Sequence, residues 1–174
     1  MAASAASSTA LSTKEDSRVS TRYWEGIVAG LIGAATLAVW YFILDVIWAR
    51  PLFTPAILGT LVFQGPQAIA SPETVRVSLE SVLAFTWIHA LVMCAIGGMA
   101  AWLLALAEEK PEFGFGIVLL MVFFEFAFIT ICMVVAEPLL RALTWPAILV
   151  GNLLAILTMG GYFWRRHPNL SILP

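Results

Sequence analysis

Phe123-Phe124-Glu125-Phe126-Ala127-Phe128 stands near the centre of an apolar stretch, 113–136, that is long enough to cross a bilayer. A carboxylate at that depth costs about 2.5–3.5 kcal/mol or more, and such groups face a protein interior or a water-filled path. Glu125 is therefore the first candidate for function, and the stretch around it places the chain in a membrane.

Working outward, three further apolar segments meet the same length requirement, at 24–48, 80–106 and 145–164. Tryptophans mark their ends, with Trp24, Trp102 and Trp164 on one side and Trp48 and Trp145 on the other, as interfacial aromatic belts require. The composition agrees: 61% of residues are hydrophobic and 11% charged, with a mean hydropathy of +0.93, against roughly 25% charged in a soluble domain. The expected fold is an all-α polytopic membrane protein with four transmembrane helices. Its transmembrane domain covers 22–167, between a disordered cytoplasmic tail at 1–21 and a C-terminal tail at 168–174.

Between the first two spans, the apolar run at 52–63 is too short to cross and reads as an interfacial or re-entrant half-helix, with Pro55 shaped for a first turn. A fifth, broken span reaching Ala70 is the competing reading. Gln64, Gly65, Pro66 and Gln67 oppose it, because lipid-exposed irregular backbone is not tolerated in hydrocarbon.

Orientation follows from the basic residues. Lys14, Arg18, Arg22, Lys110, Arg165 and Arg166 fall on one side, and Arg50, Arg76 and Arg141 on the other, six against three. Both termini are expected in the cytoplasm. The net charge of −2 comes with no basic stripe, which gives no sign of nucleic-acid binding. The expected partners are the lipid bilayer and a second copy or other membrane subunits.

An internal echo leaves two readings open. Ala49-Arg50-Pro51-Leu52 and Thr54-Pro55-Ala56-Ile57-Leu58 are similar to Ala136-Glu137-Pro138-Leu139 and Trp145-Pro146-Ala147-Ile148-Leu149. Either a helix pair is duplicated, as in some transporters, or proline-led helix starts recur at interfaces for steric reasons.

The polar residues of the spans form two candidate sites. At a rise of 1.5 Å per residue, His89 and Asn152 fall about 4–5 Å outward of Glu125, so these three could share one bundle interior. Asp45, Arg50, Glu137 and Arg141 fall together near the outer interface as a charge cluster. A third pattern concerns packing. Gly26, Gly30, Ala34 and Ala38 recur at four-residue spacing in the first span and Ala90, Cys94 and Gly98 in the second, with Gly97, Ala101 and Ala105 as a parallel row. Small residues so spaced let two helices approach closely. Cys94 and Cys132 lie at depths about 13 Å apart and read as free thiols.

No cofactor is expected. A haem between two helices needs two intramembrane histidines, and only His89 qualifies, since His167 lies at a span boundary. Walker, zincin, G-x-S-x-G and dinucleotide fingerprints are missing from the sequence, so enzymatic activity is the weaker expectation.

The stretch 26–65, with Arg50-Pro51-Leu52-Phe53-Thr54-Pro55-Ala56-Ile57-Leu58-Gly59 at its core, resembles small four-span bacterial membrane proteins of unassigned activity. The resemblance covers about a quarter of the chain and implies a bacterial inner membrane. Two functions are then expected, in this order: a non-enzymatic accessory or scaffold subunit of a membrane assembly, and a small proton-coupled transporter or channel using Glu125 and His89. A cavity reaching the polar residues favours transport, and a dry hydrogen-bonded site favours scaffolding.

Reporter fusions test the threading. Both termini and the 108–112 loop should score as cytoplasmic and 64–74 as external; an external C-terminus would sink the four-span reading.

Overall fold

The computed structural model describes residues 2–110 and 144–167 with scattered positions between 112 and 130, and side chains from residue 20 onward. Four α-helices account for most of these residues: α1 (Ala2–Ile47), α2 (Phe53–Gln64), α3 (Leu79–Glu109) and α4 (Trp145–Arg166). Among the described residues three stretches are long and apolar enough to cross a membrane, Ser20–Ile47, Leu79–Glu109 and Trp145–Arg166. Their outward faces carry large exposed apolar side chains, among them Leu31, Trp87, Trp102, Leu157 and Trp164, which in a chain of this composition are solvated by lipid. The protein is an all-α, multi-pass membrane protein. Glu125, Cys132 and most of the expected span at 113–136 lie outside the described residues.

Helix α1 runs from Ala2 to Ile47, through the segment expected as a tail as well as the first span. The segment is rich in alanine and has neither proline nor glycine before Gly26, so nothing in it stops a helix that the apolar span has already nucleated.

Helix α2 is 12 residues long, about 18 Å at the helical rise against a hydrocarbon core of about 30 Å. It ends at Gly65, whose φ of 84° is open to glycine at little cost. Two 3-10 turns, Pro66–Ile69 and Pro72–Thr74, carry the chain on to α3. The helix therefore does not continue to Ala70. It is packed rather than loose: Phe53, Ile57 and Ile69 form a buried cluster supported by Tyr41, Leu61 and Ile148.

Helix α1 lies against both α3 and α4. Its contact with α3 is made by backbone. A methyl group at Gly26 would come within 2.5 Å of the Gly98 Cα, and one at Gly30 would collide with the Met93 carbonyl. From the other side, a methyl at Gly97 would strike the Gly26 carbonyl, whereas the side-chain direction of Gly98 is open. The row of α3 turned into the bundle is Gly97, Ala101 and Ala105, all buried, and Ala90, Cys94 and Gly98 stand beside it, half-buried. Apolar residues are spread around the whole of α3, so its sequence sets no phase that would rank the two rows. Ala29 and Ala34 of α1 join Met93, Ala101, Met159 and Phe163 in the core cluster. Between α1 and α4, Trp40 Nε1 donates to the Ala147 carbonyl at 2.9 Å, and the Thr36 and Thr158 hydroxyls meet at 3.1 Å.

The two adjacent glycines should separate in mutagenesis. Gly97→Leu should lower the thermal stability of the detergent-solubilised protein by about 1–3 kcal/mol, as overpacking does, while Gly98→Leu should leave it within about 0.5 kcal/mol. Equal melting temperatures for the two variants would remove the assigned phase of α3.

Candidate functional site

The corner between α1 and α2 is built on Asp45. At the end of α1 the Arg50 N–H donates to the Asp45 carbonyl at 2.8 Å and the Ala49 N–H to Val46 at 3.0 Å. Ala49 adopts φ 55°. These are the two bonds and the left-handed residue of a Schellman cap, with alanine where glycine is usual, and Pro51 keeps the helix from continuing.

The N-terminus of α2 then lacks a local cap, because the residue in the capping position is Leu52, itself left-handed at φ 64°. The Asp45 side chain supplies what Leu52 cannot. Its two carboxylate oxygens accept the Thr54 N–H at 2.8 Å and the Thr54 hydroxyl at 2.7 Å. The Phe53 and Ala56 N–H groups bond to the Arg50 and Leu52 carbonyls, and Pro55 has no N–H, so the donors of the first turn are accounted for. Asp45 is fully buried and Thr54 nearly so.

Of the expected outer charge cluster, Asp45 thus bonds Thr54, and the Arg50 guanidinium lies 4.3 Å from the centre of the Phe53 ring in a cation–π contact. Glu137 and Arg141 lie outside the described residues.

A cavity of about 560 Å³ opens beside this corner, lined from all four helices by residues that include Tyr41, Asp45, Thr54, Phe85, His89 and Asn152. The structure thus places His89 and Asn152 on one cavity and adds Asp45, which the sequence assigned to a different site. His89 is half-buried, stacks on Phe85 with ring centres 5.6 Å apart, and its ring meets the Ala34 backbone of α1. Glu125 lies outside the described residues. The volume falls within the roughly 300–1,000 Å³ of small-molecule sites, and the lining has their usual character, apolar walls with a few polar groups.

A second polar group closes the opposite end of the bundle. The His167 Nδ1 lies 2.6 Å from Glu108 and its Nε2 lies 3.2 Å from Glu25, so one imidazole bridges carboxylates on α1 and α3. Arg22 and Glu109 pair beside it at 3.1 Å, an exposed contact worth about 0–1 kcal/mol. In the sequence His167 reads as a span-boundary residue. The missed signal was depth: Glu25, Glu108 and His167 all fall at the same end of their spans.

No family model, curated protein or solved structure matches the chain. The site is read from its own chemistry. Among the described residues no group of three His, Cys, Asp or Glu side chains is arranged to hold a metal ion.

The Asp45 corner can be measured directly. Asp45→Ala leaves the Thr54 N–H and hydroxyl without their acceptors and should cost on the order of 2 kcal/mol of stability. Adding Thr54→Val should cost much less than its own single effect, a coupling that a double-mutant cycle in detergent would read. Additive losses would mean that the two side chains act independently.

Proposed function

We propose that this integral membrane protein is a small carrier whose substrate site is the cavity that holds His89 and Asn152. The observation that carries the reading is the cavity itself. A subunit that only packs against neighbours gains nothing from such a space, since its lining forfeits contacts that a filled interior would make. Its polar groups stand within the membrane-crossing part of α3 and α4, where such residues mark substrate and ion paths.

The imidazole between two carboxylates at the other end supports coupling to protons. A histidine so placed can take a proton at one ring nitrogen and release one from the other, and chains of acidic and imidazole groups are what proton-driven transporters use. Glu125 would extend the same chemistry toward the bundle centre. Within this reading 113–136 supplies a fourth crossing, α2 is a re-entrant half-helix, and both termini face the cytoplasm of a bacterial inner membrane. The burial of Phe53, Thr54, Ala56, Ile57, Gly59 and Thr60 supports the placement of α2. The accessory-subunit reading draws in part on the small-residue rows, and Gly26, Gly30 and Gly97 of those rows are engaged within the bundle, in the contact of α1 with α3.

Proteoliposomes with a trapped pH-sensitive dye provide the test. Under an imposed pH gradient and a panel of neutral and ionic solutes, at least one solute should speed relaxation over empty liposomes. His89→Ala or Asn152→Ala should slow that relaxation about tenfold while the melting temperature holds, a loss of about 1.4 kcal/mol in the transport step. A protein that accelerates relaxation with no solute would return the reading to an accessory subunit.

A further inference from the structure

A second cavity, of about 570 Å³, opens where α2 ends and α3 begins, lined by both helices and by the turns between them. Its chemistry differs from that of the cavity beside Asp45. Arg76 and Glu80 both stand in its lining, one cation and one acid, whereas apolar side chains make up most of the other wall. We propose that it seats the headgroup of a zwitterionic lipid, a phosphate ester carrying a primary ammonium, as a site separate from the substrate cavity.

Availability comes first. Among the described residues the Arg76 guanidinium and the Glu80 carboxylate pair neither with each other nor with any other group, and the Gln64, Ser78 and Ser81 side chains are likewise open. The Thr60 and Thr74 hydroxyls, by contrast, already donate to the Ala56 and Ser71 carbonyls at 2.9 and 2.8 Å. The groups on offer are therefore a guanidinium, a carboxylate, an amide and two hydroxyls.

Charge selects among headgroups. A plain anion matched to Arg76 brings its charge near Glu80, and a plain cation meets the converse, so one wall opposes each of them. A ligand with both charges finds both opposites. The guanidinium takes phosphate oxygens in its planar fork, and the carboxylate accepts from the N–H groups of a primary ammonium. A trimethylated ammonium has no N–H to give. Among the described lining residues Phe63 is the one aromatic ring, short of the cage that such cations use.

Depth selects a lipid over a soluble zwitterion. Glu80 and Ser81 lie in the first turn of a crossing helix that begins at Leu79, the level at which headgroups lie. Ala84 lines the cavity about one turn further in, and the half-exposed Phe63 walls it from α2. The lining thus passes from charged to apolar in the direction in which a phospholipid passes from headgroup to chain. Pockets with basic residues between crossing helices are where headgroups bind.

Native mass spectrometry of the whole detergent-solubilised protein, titrated with dioleoyl lipids that differ only in headgroup, tests the assignment. Phosphatidylethanolamine should saturate at one per chain and bind about threefold or more tighter than phosphatidylglycerol or phosphatidylcholine, a modest factor because exposed charge contacts are weak. Arg76→Gln should weaken phosphatidylethanolamine and phosphatidylglycerol alike, about threefold. Glu80→Gln should weaken only the first of these, so that the preference between the two disappears. Both side chains are exposed, and the melting temperature should hold in both variants. Glycerophosphoethanolamine, the same headgroup without acyl chains, should not displace the lipid at equal concentration.

Equal binding of phosphatidylglycerol to the unsubstituted protein would overturn the zwitterionic class, and equal binding of phosphatidylcholine would overturn the hydrogen-bonded ammonium. Failure of phosphatidylethanolamine to saturate, or a preference indifferent to both variants, would overturn the site. Displacement by glycerophosphoethanolamine would overturn the lipid as the source and keep the headgroup chemistry.

Discussion

One buried carboxylate sets the geometry on which the rest depends. Asp45 closes α1 through its backbone and opens α2 through its side chain, so the chain reverses within five residues without leaving the donors of the α2 first turn unpaired. Within or beside a bilayer that accounting is compulsory, because no water is present to satisfy what the protein leaves open. The two left-handed residues at the corner, Ala49 and Leu52, each carry a conformational cost of about 1–2 kcal/mol. The fold sustains it because the paired carboxylate and the Phe53–Ile57–Ile69 cluster hold the corner in place.

From that corner two kinds of packing follow. Toward the basic end, α1 and α3 touch through Gly26, Gly30 and Gly97, backbone to backbone, with no room for a side chain between them. Toward the corner end larger residues take over, and α2 is wedged against α3, with Gly59 close to the Ser81 backbone. At that end lies the cavity with His89 and Asn152.

The two polar groups of the bundle thus have different surroundings and suit different tasks. The cavity combines apolar walls with a few hydrogen-bonding groups, a surface for recognising a molecule. The His167 bridge is compact and partly buried, with each ring nitrogen already engaged by an acid, an arrangement for holding or passing a proton. They lie about 30 Å apart by the helical rise from Glu25 to Asp45, and α1 runs unbroken from one to the other.

The sequence by itself determined the medium, the helical class and where the described crossings lie, because the length and hydropathy of each apolar run are local properties that lipid reads directly. His89 and Asn152 were legible as residues of similar depth, since depth depends only on counting along a helix. What the tertiary structure decided was rotation and partnership. A helix that is apolar all round gives no sign of which face turns inward, so the choice of Gly97, Ala101 and Ala105 over Ala90, Cys94 and Gly98 waited on the contact with α1. The charge of Asp45 and its depth near the outer interface are visible in sequence, whereas the need of α2 for a cap is visible only once Leu52 is seen in the capping position. His167 was passed over for the same reason: a hydrogen bond between residues 142 positions apart exists only when the ends of three spans are brought together.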